Sequence, residues 1–134
     1  MLENELETII YKLLTTSSTQ ARKRGLLNLP DSKIRVYRQF SMGENGVADM
    51  VLFSRNEIFI IELKRKAIVF DNYYQISKYL NFFIMKYKKK NIKKKVSGIL
   101  IAPKINIKNN ISPRIKIYKS DINPITGIFF HETH

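Results

Sequence analysis

Gly46-Val47-Ala48-Asp49-Met50-Val51-Leu52-Phe53-Ser54-Arg55-Asn56-Glu57-Ile58-Phe59-Ile60-Ile61-Glu62-Leu63-Lys64 is the stretch on which the reading of this chain turns. Two runs rich in aliphatic and aromatic residues flank a short polar segment, which is the pattern of an antiparallel hairpin. With Arg55 and Asn56 as the two loop residues, Ser54 faces Glu57 and opposed positions sum to 111. Asp49 then stands opposite Glu62, with Cβ atoms about 5 Å apart, and the two-residue period puts Lys64 on the same face, one step further. The other residues of that face, Val51, Phe53, Ile58 and Ile60, are apolar, as are Met50, Leu52, Phe59, Ile61 and Leu63 on the opposite face. This is a core hairpin with a charged end. Two facing carboxylates repel unless a cation neutralises them, and hard oxygen ligands at that separation suit Mg²⁺ or Mn²⁺. The plainer alternative is that Glu62 and Lys64 mark the point where a strand emerges into solvent.

Working outward, Gly43-Glu44-Asn45-Gly46 is a turn signal that separates the hairpin from a strand over Lys33 to Phe40, so three strands form a meander. Upstream, Leu2, Leu6, Ile9, Ile10, Leu13 and Leu14 recur on one face of a helix over residues 2 to 15, with Glu3, Glu5 and Glu7 in its first turns, where the dipole favours carboxylates. The stretch from Thr16 to Ser32, with Arg22-Lys23-Arg24-Gly25 and Pro30, reads as a basic loop. Downstream, Asp71 is positioned to cap a helix on which Tyr73, Ile76, Leu80, Phe83, Ile84 and Tyr87 recur at helical spacing. Val96 to Ala102, stopped by Pro103, reads as a strand buried on both faces and, coming after a helix, implies a right-handed parallel crossover. Arg114 to Tyr118 and Ile125 to Phe130 are candidate strands at the end of the chain. The expected fold is a single α/β domain over residues 1–134, a central mixed sheet flanked by helices in the order α-β-β-β-α-β with one or two further strands.

Composition narrows the function classes. With 134 residues, 44% hydrophobic and 11% aromatic, the chain suits one folded domain rather than a disordered tail. No apolar run approaches the roughly 20 residues of a membrane span. The acidic start, Met1-Leu2-Glu3-Asn4-Glu5, lacks the basic-then-apolar pattern of a secretory signal, so an intracellular, cytoplasmic location is expected. Zero cysteines exclude disulfides, thiolate zinc sites, iron–sulfur clusters and cysteine nucleophiles. The 24 Lys and Arg against 11 Asp and Glu give a net charge of +13, which points to a polyanionic partner, nucleic acid ahead of a membrane surface.

Gly46-Val47-Ala48-Asp49, a hydrophobic run and then Ile61-Glu62-Leu63-Lys64-Arg65 resemble the signature of the PD-(D/E)XK nucleases, with Ala48 in place of the proline. The expected element order is also that of the family's restriction-endonuclease-like core. Gln75-Ile76-Ser77-Lys78-Tyr79 resembles the Gln-x-x-x-Tyr motif of RecB-type exonucleases and of the archaeal single-strand endonuclease NucS, and Val96 to Pro103 resembles the strand that follows in the NucS catalytic domain. The resemblance spans about residues 2 to 104. It implies Asp49, Glu62 and the Leu63 carbonyl as ligands of Mg²⁺ or Mn²⁺, Lys64 as the residue that positions water and stabilises the phosphate, and Gln75 as a residue holding DNA or Lys64. It further implies an acidic ligand from the first helix, for which Glu3 is chosen over Glu5 and Glu7, and an Arg on the strand before the turn, Arg38, which either contacts a phosphate or makes a cross-strand ion pair. Tyr79 either contacts DNA or packs in the helix with its hydroxyl at the rim.

Lys86 and Lys88, Lys89, Lys90, Lys93, Lys94 and Lys95 place seven positive charges in ten residues; with Arg22, Lys23 and Arg24 they either line a phosphate-tracking groove or form a solvated helix end. Tyr73, Tyr74 and Tyr87 either stack on unpaired bases or belong to the core. His131 and His134 are too few for a zinc site. The expected function is a Mg²⁺-dependent deoxyribonuclease of DNA repair or recombination, acting on single-stranded, flap or branched DNA. A homodimer through a C-terminal strand is a further expectation. The alternative is a catalytically silent nucleic-acid-binding module of the same fold.

Overall fold

The computed structural model describes residues 3–16, 18–26, 29, 33–108 and 112–133. Along the chain run α1 (Glu3–Thr16), α2 (Ser18–Lys23), β1 (Arg35–Ser41), a 3₁₀ turn (Gly43–Asn45), β2 (Val47–Phe53), β3 (Glu57–Leu63), α3 (Phe70–Lys89), β4 (Lys95–Ala102), β5 (Ile115–Asn123) and β6 (Gly127–Thr133). The six strands form one mixed sheet in chain order: β1–β2, β2–β3 and β5–β6 are antiparallel, β3–β4 and β4–β5 parallel. The fold is therefore the expected α/β arrangement, with the two C-terminal strand candidates realised as a full hairpin.

Each face of the sheet has its own apolar layer. Leu6, Ile10 and Leu14 of α1 and Ala21 of α2 pack with Met50, Leu52, Phe59 and Ile61 on one side. Ile76, Tyr79, Leu80 and Phe83 of α3 pack with Val51, Ile58, Ile60 and Leu100 on the other. β3 and β4 lie between both layers, which is why their sequences run apolar almost without alternation. No helix among the described residues is long and apolar enough to cross a membrane.

Two elements differ from expectation for identifiable reasons. The basic stretch after α1 contains the helix α2, because Ala21 is fully buried and anchors a turn that composition alone marks as loop. It ends at Gly25, whose φ of +112° brings the backbone against β6; a Cβ there would lie 1.9 Å from the Phe130 carbonyl oxygen. The start of α3 is capped by Asn72, whose side-chain oxygen accepts the Val69 N–H at 2.9 Å, while Asp71 sits exposed in the first turn.

Arg24 also closes the outer edge of β6. Its carbonyl accepts the Phe130 N–H at 2.7 Å, and its guanidinium donates to the carbonyls of Thr126 and Ile128, at 3.2 Å for Ile128, while lying 5.0 Å from the centre of the Phe129 ring. A partner strand adding along β6, the route expected for a homodimer, meets an edge already occupied there.

A candidate carboxylate site at the open end of the central hairpin

The β2–β3 ladder runs from Phe53–Ile58 to Met50–Ile61, every pair summing to the 111 expected from an Arg55-Asn56 loop. One step beyond, side chains replace main-chain partners. The Asp49 N–H donates to Glu62 Oε1 at 2.9 Å, and the Leu63 N–H donates to Asp49 Oδ2 at 2.8 Å. The two carboxylates are thereby pinned against one another at the end of the strands. Glu62 is 5% exposed, and its carboxyl is pushed up to about 8, first by burial and then by the Asp49 charge, against the Asp49 N–H and the Lys64 ammonium, which pull it down. Lys64, half-buried, follows directly after β3 and is held there by its N–H on the Ile101 carbonyl of β4 at 2.9 Å.

On the other side of Asp49 the β1–β2 ladder, whose pairs sum to 88, skips the step that would join Gln39 to Asp49. Gln39 has a φ of +48°, a left-handed conformation rare outside glycine and asparagine. The twist turns two successive side chains towards α1: Arg38 Nε lies 3.2 Å from Glu7 Oε1, and Gln39 Nε2 lies 3.1 and 3.2 Å from the two Glu7 oxygens. Face alternation breaks at the same level in β2, where Met50 faces α1 but Ala48 joins the α3 layer. Arg38 is thus committed to an ion pair with a helix rather than a neighbouring strand, and it also donates to Thr8 Oγ1 at 3.1 Å. The helix carboxylate built into this row is Glu7, 7% exposed; the side chain of Glu3 lies outside the described residues. Among the described residues no group of three or more acidic, histidine or cysteine side chains is gathered for a metal.

α3 supplies the site's third wall. Tyr79, 1% exposed, donates from its hydroxyl to the Val47 carbonyl at 3.2 Å and accepts from Gln75 Nε2 at 2.8 Å. Burial raises its phenol first, the Glu62 and Asp49 charges raise it further, and the Gln75 donor opposes them. Its hydroxyl lies over Gly46, where a Cβ would stand 3.0 Å away and where φ is +111°. Tyr79 is therefore not at the rim: it clamps the turn that leads into Asp49, and the exposed end of the motif is Gln75.

The cations do not form one groove. Lys95 pairs in register with Glu57 and reaches its carboxylate at 3.8 Å, and Lys94 Nζ donates to the Ser54 carbonyl at 3.1 Å. The cluster Lys88, Lys89, Lys90, Lys93, Lys94 and Lys95 thus gathers at the hairpin-turn end of the sheet, about 17 Å along β3 from Glu62 at the usual strand rise. Arg22, Lys23 and Arg24 belong to the α1 side and to β6, with Arg24 taken up in the edge contact. At the carboxylate end stand Lys64, Arg65, Lys66, Lys104 and Lys119, after or near the ends of β3, β4 and β5. Arg65 and Lys119 border a cleft of about 360 Å³ with Leu6 of α1. Glu7 is weighed in the sequence but Glu3 preferred, while Gln39 and this basic rim give little sign there; the one visible signal is Arg65-Lys66 directly after Lys64.

Two adjacent carboxylates, one of them buried and resisting ionisation, present hard oxygens that fit a divalent cation. No curated protein and no solved structure matches the chain. A match over residues 31–124, spanning β1 through the end of β5 and so Asp49, Glu62 and Lys64, is found to the family described as Endonuclease NucS C-terminal domain. The chain belongs to the endonuclease NucS C-terminal domain family.

Proposed function

We propose that this domain is a metal-dependent deoxyribonuclease of the PD-(D/E)XK type that hydrolyses phosphodiester bonds, with single-stranded, flap or branched DNA as substrate. The observation that carries the reading is the buried Glu62 carboxyl locked to Asp49 beside Lys64, in a chain of the NucS C-terminal family and of net charge +13. Asp49, Glu62 and the Leu63 carbonyl, joined by Glu3 from α1, would hold Mg²⁺ or Mn²⁺. Such an ion, when bound, supplies Lewis acidity and a water of lowered pKa.

The chain's own groups do the rest. The Leu63 N–H holds Asp49 and the Asp49 N–H holds Glu62, so both carboxylates are oriented before any ligand arrives. The Lys64 ammonium, carried on a residue whose main chain is held at the strand end, would orient the attacking water and offset charge developing on the phosphate. Tyr79 sets the turn before Asp49, and Gln75, whose amide donates to its hydroxyl, would hold DNA or Lys64. Arg65, Lys66, Lys104 and Lys119 supply the phosphate contacts at this end.

One feature favours the silent-module alternative: both carboxylates accept main-chain N–H groups and so serve as strand-end caps. The test is incubation with end-labelled single-stranded, duplex and flap DNA in Mg²⁺, Mn²⁺ or chelator. Cleavage in the metals alone supports the nuclease; binding without cleavage of any substrate assigns the silent module.

A further inference from the structure

The α3-side face of the sheet is only partly covered. α3 lies over β3 and β4, and beyond it the same face of β1 and the end of β2 carry Tyr37, Phe40 and Phe53. Tyr37 is 45% exposed, unusual for a large aromatic on a strand whose neighbours in the cluster are half-buried. Its ring stands edge-on to Phe53 at 5.6 Å and to Phe40 at 6.3 Å, and Phe40 and Phe53 lean in turn on Phe83 of α3 at 5.8 and 6.0 Å. The platform is therefore held from beneath, with Tyr37 as its open surface.

These rings floor a cleft of about 550 Å³ whose polar walls are Lys33, Arg35, Arg55 and Lys94, and no acidic residue borders it among the described residues. Four cations around an exposed aromatic surface are what a strand of unpaired nucleotides requires: phosphates meet Lys and Arg, and a base lies on the ring. A duplex hides its bases and would use only the charges. Tyr37 pairs in register with Val51, two residues from Asp49, so the platform starts about 7 Å along the sheet from the carboxylate row.

We propose that this cleft binds unpaired nucleic acid, with one base stacked on Tyr37 and the flanking phosphates on Arg35, Arg55 and the neighbouring lysines. The platform feeds a single strand towards Asp49 and Glu62, and to that extent it extends the nuclease reading. Its wall also gives Lys94, a member of the distant lysine cluster, a task that the carboxylate site does not.

The chain contains no tryptophan, so Tyr37→Trp introduces a single reporter. In chelator, where cleavage plays no part, its fluorescence should be quenched by a fifteen-residue oligothymidylate but little by a duplex or by inorganic polyphosphate of equal charge. Tyr37→Ala should weaken oligothymidylate binding by about 5- to 150-fold, as expected for one lost stacked base, with the salt slope unchanged. Tyr37→Phe should bind like the unaltered protein. Arg35→Gln with Arg55→Gln should lower the salt slope by about 0.7 per contact. Equal quenching by polyphosphate, or full affinity in Tyr37→Ala of unchanged circular dichroism, would overturn the proposal. Because no metal is present, a negative result here leaves the nuclease reading standing, and absence of cleavage leaves the platform standing.

Discussion

Glu62→Gln removes a buried charge while keeping an oxygen for the Asp49 N–H, and its effect on stability follows from the burial of the site. An acid whose carboxyl is raised in the folded chain holds a proton that the unfolded chain releases, so stability is highest at low pH and falls as pH rises. For Glu62 the window runs from 4.5 to about 8. At about 1.4 kcal/mol per pH unit the loss is about 5 kcal/mol above the window and about 3 kcal/mol at pH 7. Both are ceilings, since opening of the strand end admits water to the carboxylate. The Gln variant carries none of this loss. Urea unfolding followed by circular dichroism from pH 5.5 to 8.5 should therefore show the unaltered protein losing ground steadily against Glu62→Gln. Millimolar Mg²⁺ or Mn²⁺ should restore the unaltered protein at pH 8.5, by about 2.7 kcal/mol at a hundred times Kd, and leave Glu62→Gln nearly unmoved. Parallel stability profiles for the two proteins would refute the reasoning, for they would mean that Glu62 ionises in the fold as freely as in water.

Lys64→Arg keeps the charge but replaces a compact ammonium by a planar fork, so cleavage should fall sharply at unchanged unfolding midpoint, as read by a gel assay beside a melting curve. Tyr79→Phe removes the bond to the Val47 carbonyl and the acceptor of Gln75, and should lower stability by about 1 kcal/mol in urea titration and slow cleavage through the displaced turn. Arg24→Ala removes the guanidinium from the Thr126 and Ile128 carbonyls and uncovers that part of the β6 edge, so light scattering should show concentration-dependent association that the unaltered protein lacks. Gly46→Ala, forced into a φ of +111° against the Tyr79 hydroxyl, should lose more than 1 kcal/mol.

The central hairpin was legible because a two-residue loop leaves only one register for strands that are apolar on both faces, and that register brings Asp49 to Glu62. The layers were legible for the same reason: Ile76, Leu80 and Phe83 at helical spacing need an apolar sheet, and β3 and β4 offer one. What stayed hidden depends on tertiary contact. Nothing local marks Gln39 for a left-handed conformation; it is Glu7 of a distant helix that collects Arg38 and Gln39 together. Ala21 reads as a loop residue until the sheet beneath it is known. The lysine cluster reads as part of one groove because sequence shows charge without direction, and only the parallel pairing of Lys95 with Glu57 sends it to the far end of the sheet. Tyr37, two residues after Arg35 and directly before Arg38, gives no sign in sequence that α3 will leave it uncovered.

The central claim is that Asp49 and Glu62 form the hydrolytic centre, and cleavage of single-stranded DNA by Asp49→Ala and Glu62→Ala in Mg²⁺ and Mn²⁺ tests it most directly, with affinity for the same oligonucleotide measured in Ca²⁺. Both variants should lose at least about a hundredfold in rate while affinity stays within about twofold, because each change removes a group of the reacting centre and no phosphate contact. Retention of more than about a tenth of the rate in both, or cleavage that continues undiminished in chelator, would contradict the account.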